Sequence, residues 1–231
     1  MNRCARFVLL FPLMLLGCAH GFDRAALQER LNDGSLQIND ASIAEVRSLK
    51  AQLKFPCRIA VYFQSEHRDR TWTTEDMASM DKWGEALKAE GIAAEIFPLP
   101  EMLAGKGEVK ELRLAAAKCG ADVLFIIRGA AQTDSYKNFA AVLNLTIVGG
   151  FVVPASHRDS LFMMEGVLMD VDNGYIYAAV QAEGVGKSVG PTFIIEDKLS
   201  IERARSSAMI QFGTAVLERM RSLAAKQTAS R

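Results

Sequence analysis

The chain has 231 residues, its 27 Lys and Arg balance its 27 Asp and Glu, and 50% of it is hydrophobic. That balance leaves no basic footprint for nucleic acid. The hydrophobic half excludes wholesale disorder and fits a single well-filled core.

The N-terminal segment carries Arg3 and Arg6, then an apolar run from Phe7 to Leu16. A charged start, a short apolar core and a small residue before a cut describe a secretory signal over residues 1–17. The run is too short to span a bilayer, which needs about 20 apolar residues. Leu15-Leu16-Gly17-Cys18 closes it and resembles the lipobox of bacterial lipoproteins. The resemblance implies cleavage after Gly17, diacylglycerol on the Cys18 sulfur and acylation (palmitate) of the new N-terminus. Ala19 after the cysteine resembles the outer-membrane sorting pattern. The expectation is a chain held on the periplasmic face of the outer membrane.

Residues 18–54 read as a helical tether arm. One short helix runs near Asp23–Leu31 with Asp23 as N-cap. Another starts at Asn39 or Asp40 and carries Ile43, Val46, Leu49 and Leu53 on one stripe. The arm is expected to space the folded body from the membrane and to lay its stripe on that body.

Residues 55–231 read as a single α/β domain with a mixed sheet flanked by helices in a three-layer-like arrangement. Pro56 stops the arm, and Arg58–Phe63 is a buried strand. Gln64–Trp72 is a polar loop, and Thr73-Thr74-Glu75-Asp76 opens a helix with a capping signature. Met77, Met80, Trp83, Gly84 and Leu87 share its inner face, and Gly91 closes it. Ile92–Phe97 is a strand, Glu108–Lys118 a helix, and Asp122–Ile127 another buried strand. Strand and helix alternating at these lengths predict parallel strands. Ala130–Asn138 reads as a polar loop. Phe139–Val153 carries no charge and reads as one or two buried strands with a glycine bend, or as a membrane-inserting stretch. Leu161–Val171 and Tyr175–Glu183 flank Asp172-Asn173-Gly174 and predict a hairpin interior to the sheet. Gly184–Pro191 reads as a flexible loop. A long C-terminal helix from Glu196 to Ala225 keeps Ile201, Ala204, Ala208, Phe212, Ala215, Met220 and Leu223 inside and Arg203, Arg205, Glu218 and Arg221 outside. It is longer than a small sheet needs, so its last turns, Arg219–Lys226, either project as a docking surface or fray as chain ends do.

Gly184-Val-Gly-Lys-Ser188 contains the Gly-Lys-Ser that ends a phosphate-binding loop. The first glycine of that motif falls on Gln181, and no helix follows directly, so no nucleotide is expected. Ser65, Glu66, His67 and Asp69 lie just after the first core strand, where open α/β sheets bind ligands. Neighbours in one loop do not make a catalytic triad, which is assembled from separate elements. No His or Cys spacing fits zinc, and no cofactor or metal is expected. Cys57 and Cys119 precede the first and third core strands. They read either as a disulfide, at one end of adjacent parallel strands, or as two free thiols packed as small apolar groups.

The lipobox, the strand Arg58–Phe63, Gly120-Ala-Asp-Val-Leu-Phe-Ile-Ile127 and Met169-Asp-Val-Asp-Asn-Gly-Tyr-Ile-Tyr177 together resemble the rhombotarget lipoproteins. More distantly the chain is similar to the curli-secretion and penicillin-binding-protein-activator lipoproteins and to the N-terminal domain of TolB. Cys57, the uncharged Phe139–Val153 stretch and the lack of a recognisable C-terminal sorting tail depart from that pattern. The resemblance implies a non-catalytic envelope component, bound to the membrane through Cys18 and to other envelope proteins, and supplies no catalytic residues. The alternative is a lipid-anchored hydrolase, or a small-ligand or glycan binder, using Ser65–Asp69.

Overall fold

A computed structural model describes residues 21–32, 40–64, 73–137, 156–190 and 197–229. In chain order these form α1 (Arg24–Asn32), α2 (Asp40–Ser48), β1 (Cys57–Gln64), α3 (Thr74–Ala89), β2 (Ala93–Pro98), a 3-10 turn (Glu101–Leu103), α4 (Val109–Lys118), β3 (Val123–Lys137), β4 (Ser156–Asp170), β5 (Ile176–Gly190) and α5 (Asp197–Ala229). One five-stranded sheet runs in the order β2-β1-β3-β4-β5. β1 is parallel to β2 and β3, while β4 pairs antiparallel with both β3 and β5. The expected mixed α/β architecture is the observed one. Of the hairpin strands, β4 lies inside the sheet, whereas β5 is last in the described order.

Strand alternation divides the interior between the two faces of the sheet. Ile59, Val61, Phe125, Ile127, Phe162, Met164 and Leu168 point to one face, where Met80, Trp83 and Leu87 of α3 meet Ala204, Ala208, Phe212 and Met220 of α5. Phe125 is at the centre. It stacks on Phe212 at 5.7 Å between centroids and takes Trp83 edge-on at 6.3 Å. Ala60, Leu124, Ile126 and Met169 point to the other face, under Leu112, Ala115 and Ala116 of α4. Further along that face, Leu27 and Leu31 of α1 cover Ala130 and Leu161.

Three readings of the sequence are corrected here. Ala130–Asn138 is not a loop as far as Lys137, because β3 continues and stays paired with β4 up to Lys137 opposite Ser156. Gly184–Gly190 is not a loop either, because β5 keeps its pairing to Gly190 opposite Ser156. The glycines that suggested flexibility are there for close packing. A Cβ on Gly184 would stand 2.3 Å from the Ala204 carbonyl oxygen, and one on Gly186 2.1 Å from that of Ser200. Third, α2 does not lay the arm's stripe on the body, although Leu53 beyond it packs against the core. α2 ends at Ser48, and its Ile43 and Val46 are exposed at 41% and 56%. The uncharged stretch Phe139–Val153 lies outside the described residues.

The last turns of α5 do not project. Met220 is buried, Leu223 and Ala224 pack on the core, and Arg221 holds Glu90 at the end of α3.

Gly186→Ala should therefore lower stability by about 1–3 kcal/mol or more, the ordinary cost of overpacking. Val185→Ala, on the open side of the same strand, should stay within about 0.5 kcal/mol. Denaturant midpoints of the two variants check this, and equal midpoints would contradict the packing described.

Candidate functional site

The carboxyl end of β1 is where ligands enter sheets of this kind, and α3 begins there. Thr73 is its N-cap and forms a complete capping box. The Thr73 hydroxyl accepts from the Asp76 N–H at 3.1 Å, and the Asp76 carboxylate accepts from the Thr73 N–H at 2.9 Å. That places Asp76 indoors, 2% exposed, facing α5. Arg205 meets it with both arms of its guanidinium, Nε donating to Oδ1 at 3.0 Å and Nη2 to Oδ2. Phe63 and Phe162 flank the same guanidinium with ring centroids at 5.2 and 5.7 Å. Beside the pair a cleft of about 600 Å³ opens between the N-terminal halves of α3 and α5, bordered by Thr74, Ser79, Lys198, Glu202 and Ser206.

Arg205, expected outside, is thus largely buried, with a side chain 14% exposed. Its place four residues after Ile201 and four before Met209 sets it at the margin of the inner stripe, where a long side chain can turn in. Asp76 was legible as a cap but not as an ion-pair partner, since that needs the α3–α5 contact. Chemically, both Asp76 oxygens are spent on holding the start of α3 and tying it to α5. A carboxylate so occupied is a strut, not a free base.

The candidate residues of the sequence fall unevenly around this cleft. Ser65, Glu66, His67 and Asp69 lie outside the described residues, as does Cys18. Phe63 and Thr73, near the two ends of that stretch, both contribute to the cleft region. His157 stands at the start of β4, stacked on Tyr136 at 5.0 Å. Lys187 and Ser188 of the Gly-Lys-Ser run are strand residues paired with Asp159 and Arg158, not part of a loop leading into a helix. Among the described residues no group of three or more His, Cys, Asp or Glu is placed to hold a metal ion.

Cys57 and Cys119 are free thiols. They share an end of the sheet but not a face: Cys57 belongs to the α3–α5 side and Cys119 packs on the α4 side. Burial, and then the nearby Asp122 charge, push the Cys57 thiol up to about 12.

A second cluster surrounds the β4–β5 turn. The Asp170 carboxylate accepts from the N–H groups of Asp172 and Asn173 at 2.8 and 3.0 Å, and Gly174 follows at φ 74°. The Tyr177 hydroxyl donates to Asp170 at 2.5 Å and accepts from the N–H groups of Gln52 and Leu53 at 3.0 and 2.8 Å. Asn173 donates to the Lys50 carbonyl at 2.8 Å. The Asp-Asn-Gly hairpin therefore also clasps the extended segment between α2 and β1. Burial first, then the Asp170 bond, raises the Tyr177 hydroxyl above the usual phenol range.

No family model matches the chain, and no curated protein matches it. Solved structures with partial likeness include the lipoprotein GNA1162 from Neisseria meningitidis, at 15% identity, covering 76% of this chain and 100% of that one with a TM-score of 0.34. A PelC dodecamer from Paraburkholderia phytofirmans is similar at 17% identity over 71% of this chain and 86% of that one, TM-score 0.32. The LpoB C-terminal domain from Salmonella enterica is similar at 10% identity over 70% and 98%, TM-score 0.31. Several of the similar structures are thus bacterial lipoproteins. Likenesses of this size say nothing about activity.

Removing one partner of a buried pair strands the other charge, at a typical cost of about 3–5 kcal/mol. Arg205→Met should show that loss, and adding Asp76→Ala should cost much less than a second loss of equal size. A double-mutant cycle from denaturant unfolding measures it, and strict additivity would rule out the coupling.

Alkylation of the folded protein at about pH 8, near the ordinary thiol pKa of ~8.5, should modify Cys119 and spare Cys57. Since the folded Cys57 pKa is raised, its neutral form supports folding below the unfolded value, and this contribution is lost as pH climbs from ~8.5 toward 12. Peptide mapping after alkylation checks the first point, and unfolding curves across that window check the second.

Proposed function

We propose that the chain is a lipid-anchored lipoprotein of the bacterial envelope, acylated at Cys18, that works by binding other envelope proteins. The observation that carries the anchor is Leu15-Leu16-Gly17-Cys18 at the end of a signal-like segment. No described helix is long and apolar enough to cross a membrane. Support for binding over chemistry comes from the cleft. Its buried carboxylate and guanidinium neutralise each other, and the carboxylate's remaining capacity goes to the α3 cap. An acid–base centre needs groups free to exchange a proton with substrate.

A second reading is favoured by the cleft volume of about 600 Å³, which falls in the range of small-ligand sites. In that reading a small polar ligand or glycan sits between α3 and α5, with Ser65–Asp69 contributing. Hydrolysis through His67 is its catalytic form.

Cys18→Ser should release the protein from the membrane fraction or leave it as uncleaved precursor, because stable anchoring requires more than one acyl chain. Normal fractionation with palmitate incorporation in that variant would overturn the anchor. Crosslinking in intact envelopes should recover the same protein partners from wild type and His67→Ala. Loss of a hydrolytic activity in His67→Ala, at unchanged stability, would overturn the binding role.

A further inference from the structure

We propose that the end of the sheet formed by the far parts of β3, β4 and β5 rests against the lipid surface, and that the opposite end, with the Asp172–Gly174 turn, points away from it. This rests on acylation at Cys18. The arm was expected to act as a spacer, but the described chain is already attached at Gly21. The Gly21 N–H donates to Asp134 of β3 at 3.1 Å, and Phe22 packs beside Leu27, Leu31, Ala130 and Leu161. Along α1, Arg24 holds Glu183 of β5 with two bonds of 3.1 Å. Arg30 donates to the Ala131 carbonyl at 3.1 Å, and Arg128 reaches back to the Leu31 carbonyl at 3.2 Å. α1 is a covering helix of the sheet, not a leash.

The free length between lipid and body is therefore short. Two residues, Ala19 and His20, separate Cys18 from Gly21, and the three fully extended steps from Cys18 to Gly21 reach about 11 Å. The fixed point is Asp134, close to where β3 ends at Lys137 opposite Ser156 of β4. An anchor of that length holds the neighbouring strand ends, including Tyr136, His157 and Lys187, at the bilayer surface. The strands are long enough to separate the two ends clearly. β4 has 15 residues, or about 50 Å at ~3.3 Å each.

The test uses the full acylated chain with Cys119→Ser, reconstituted in phosphatidylethanolamine–phosphatidylglycerol vesicles containing a headgroup spin-labelled lipid. A bimane fluorophore is placed at Lys187→Cys near the proposed surface, or at Asp172→Cys on the distant turn. Both positions are exposed, and Cys57 is buried out of reach of the label. Quenching should be several-fold stronger at 187 than at 172. A long Gly/Ser insertion between Cys18 and Gly21 should bring the value at 187 down to that at 172. Equal quenching at the two sites of acylated protein, or stronger quenching at 172, overturns the orientation while leaving the anchor intact. Intact-mass measurement is made first, and Cys18 without acyl chains removes the anchor and the orientation together.

Discussion

The contact on which the rest of the molecule depends is the seating of α5 on the bare backbone of β5. At Gly184 and Gly186 the helix backbone occupies the space that side chains would take, with Ala204 and Ala208 on the helix side fully buried. Helix and strand at this separation exclude water and leave no room for adjustment. Other contacts on that face then follow from it. The Ser200 hydroxyl comes within 2.8 Å of Ser160 of β4, which in turn meets Thr133 of β3 at 2.8 Å, so two strands of the sheet are tied to the helix through hydroxyls. One turn further on, Arg205 reaches Asp76 and with it the start of α3. Two turns beyond that, Phe212 stacks on Phe125.

The same contact accounts for the length of α5. Its 33 residues rise about 50 Å at ~1.5 Å each, and the 15 residues of β5 extend about 50 Å at ~3.3 Å each. Helix and hairpin match end to end, so the final turns are used in covering the sheet and gripping Glu90.

How far the sequence alone could go is set by whether the deciding partner is local. Thr73 and Asp76 cap each other across three residues, and Asp170 to Gly174 close a turn on themselves, so both were legible. The parallel trio β2-β1-β3 followed from alternating apolar periods. Gly184–Gly190 was read as a loop because glycine and polar residues favour turns locally. The reason those glycines stand in a strand is a helix twenty residues further along. Arg205 was read as surface because charged residues are seldom buried unless paired, and its pair lies 129 positions away. In α2, Ile43 and Val46 have helical spacing yet stay exposed, since periodicity alone does not supply a surface to pack on. Cys57 and Cys119 were placed correctly at one end of the sheet, but the face each occupies is decided by strand alternation and by α4. Ser65, Glu66, His67 and Asp69 fall outside the described residues, so their part in the cleft is carried by the proposal and not by geometry.

The helix over β5 also restricts how this chain can associate. A strand last in its sheet, 15 residues long and without proline, is ordinarily an invitation to pair with another chain. Two copies joined through β5 would place those strands about 4.8 Å apart. Each strand carries an α5 seated directly on it, and packed helices require axes about 8–10 Å apart. Where two copies carried α5 on the same face, the helices near Gly184 and Gly186 would crowd each other, which disfavours continuation of the sheet in that arrangement. The opposite face of β5 remains open, with Val185 and Val189 exposed at 44% and 54%. That face, the cleft between α3 and α5 and the ends of the sheet carry no such obstruction from α5. Under the proposed anchor and orientation, the distant turn around Asp172 would be the part of the body that a partner can approach with least obstruction from the membrane.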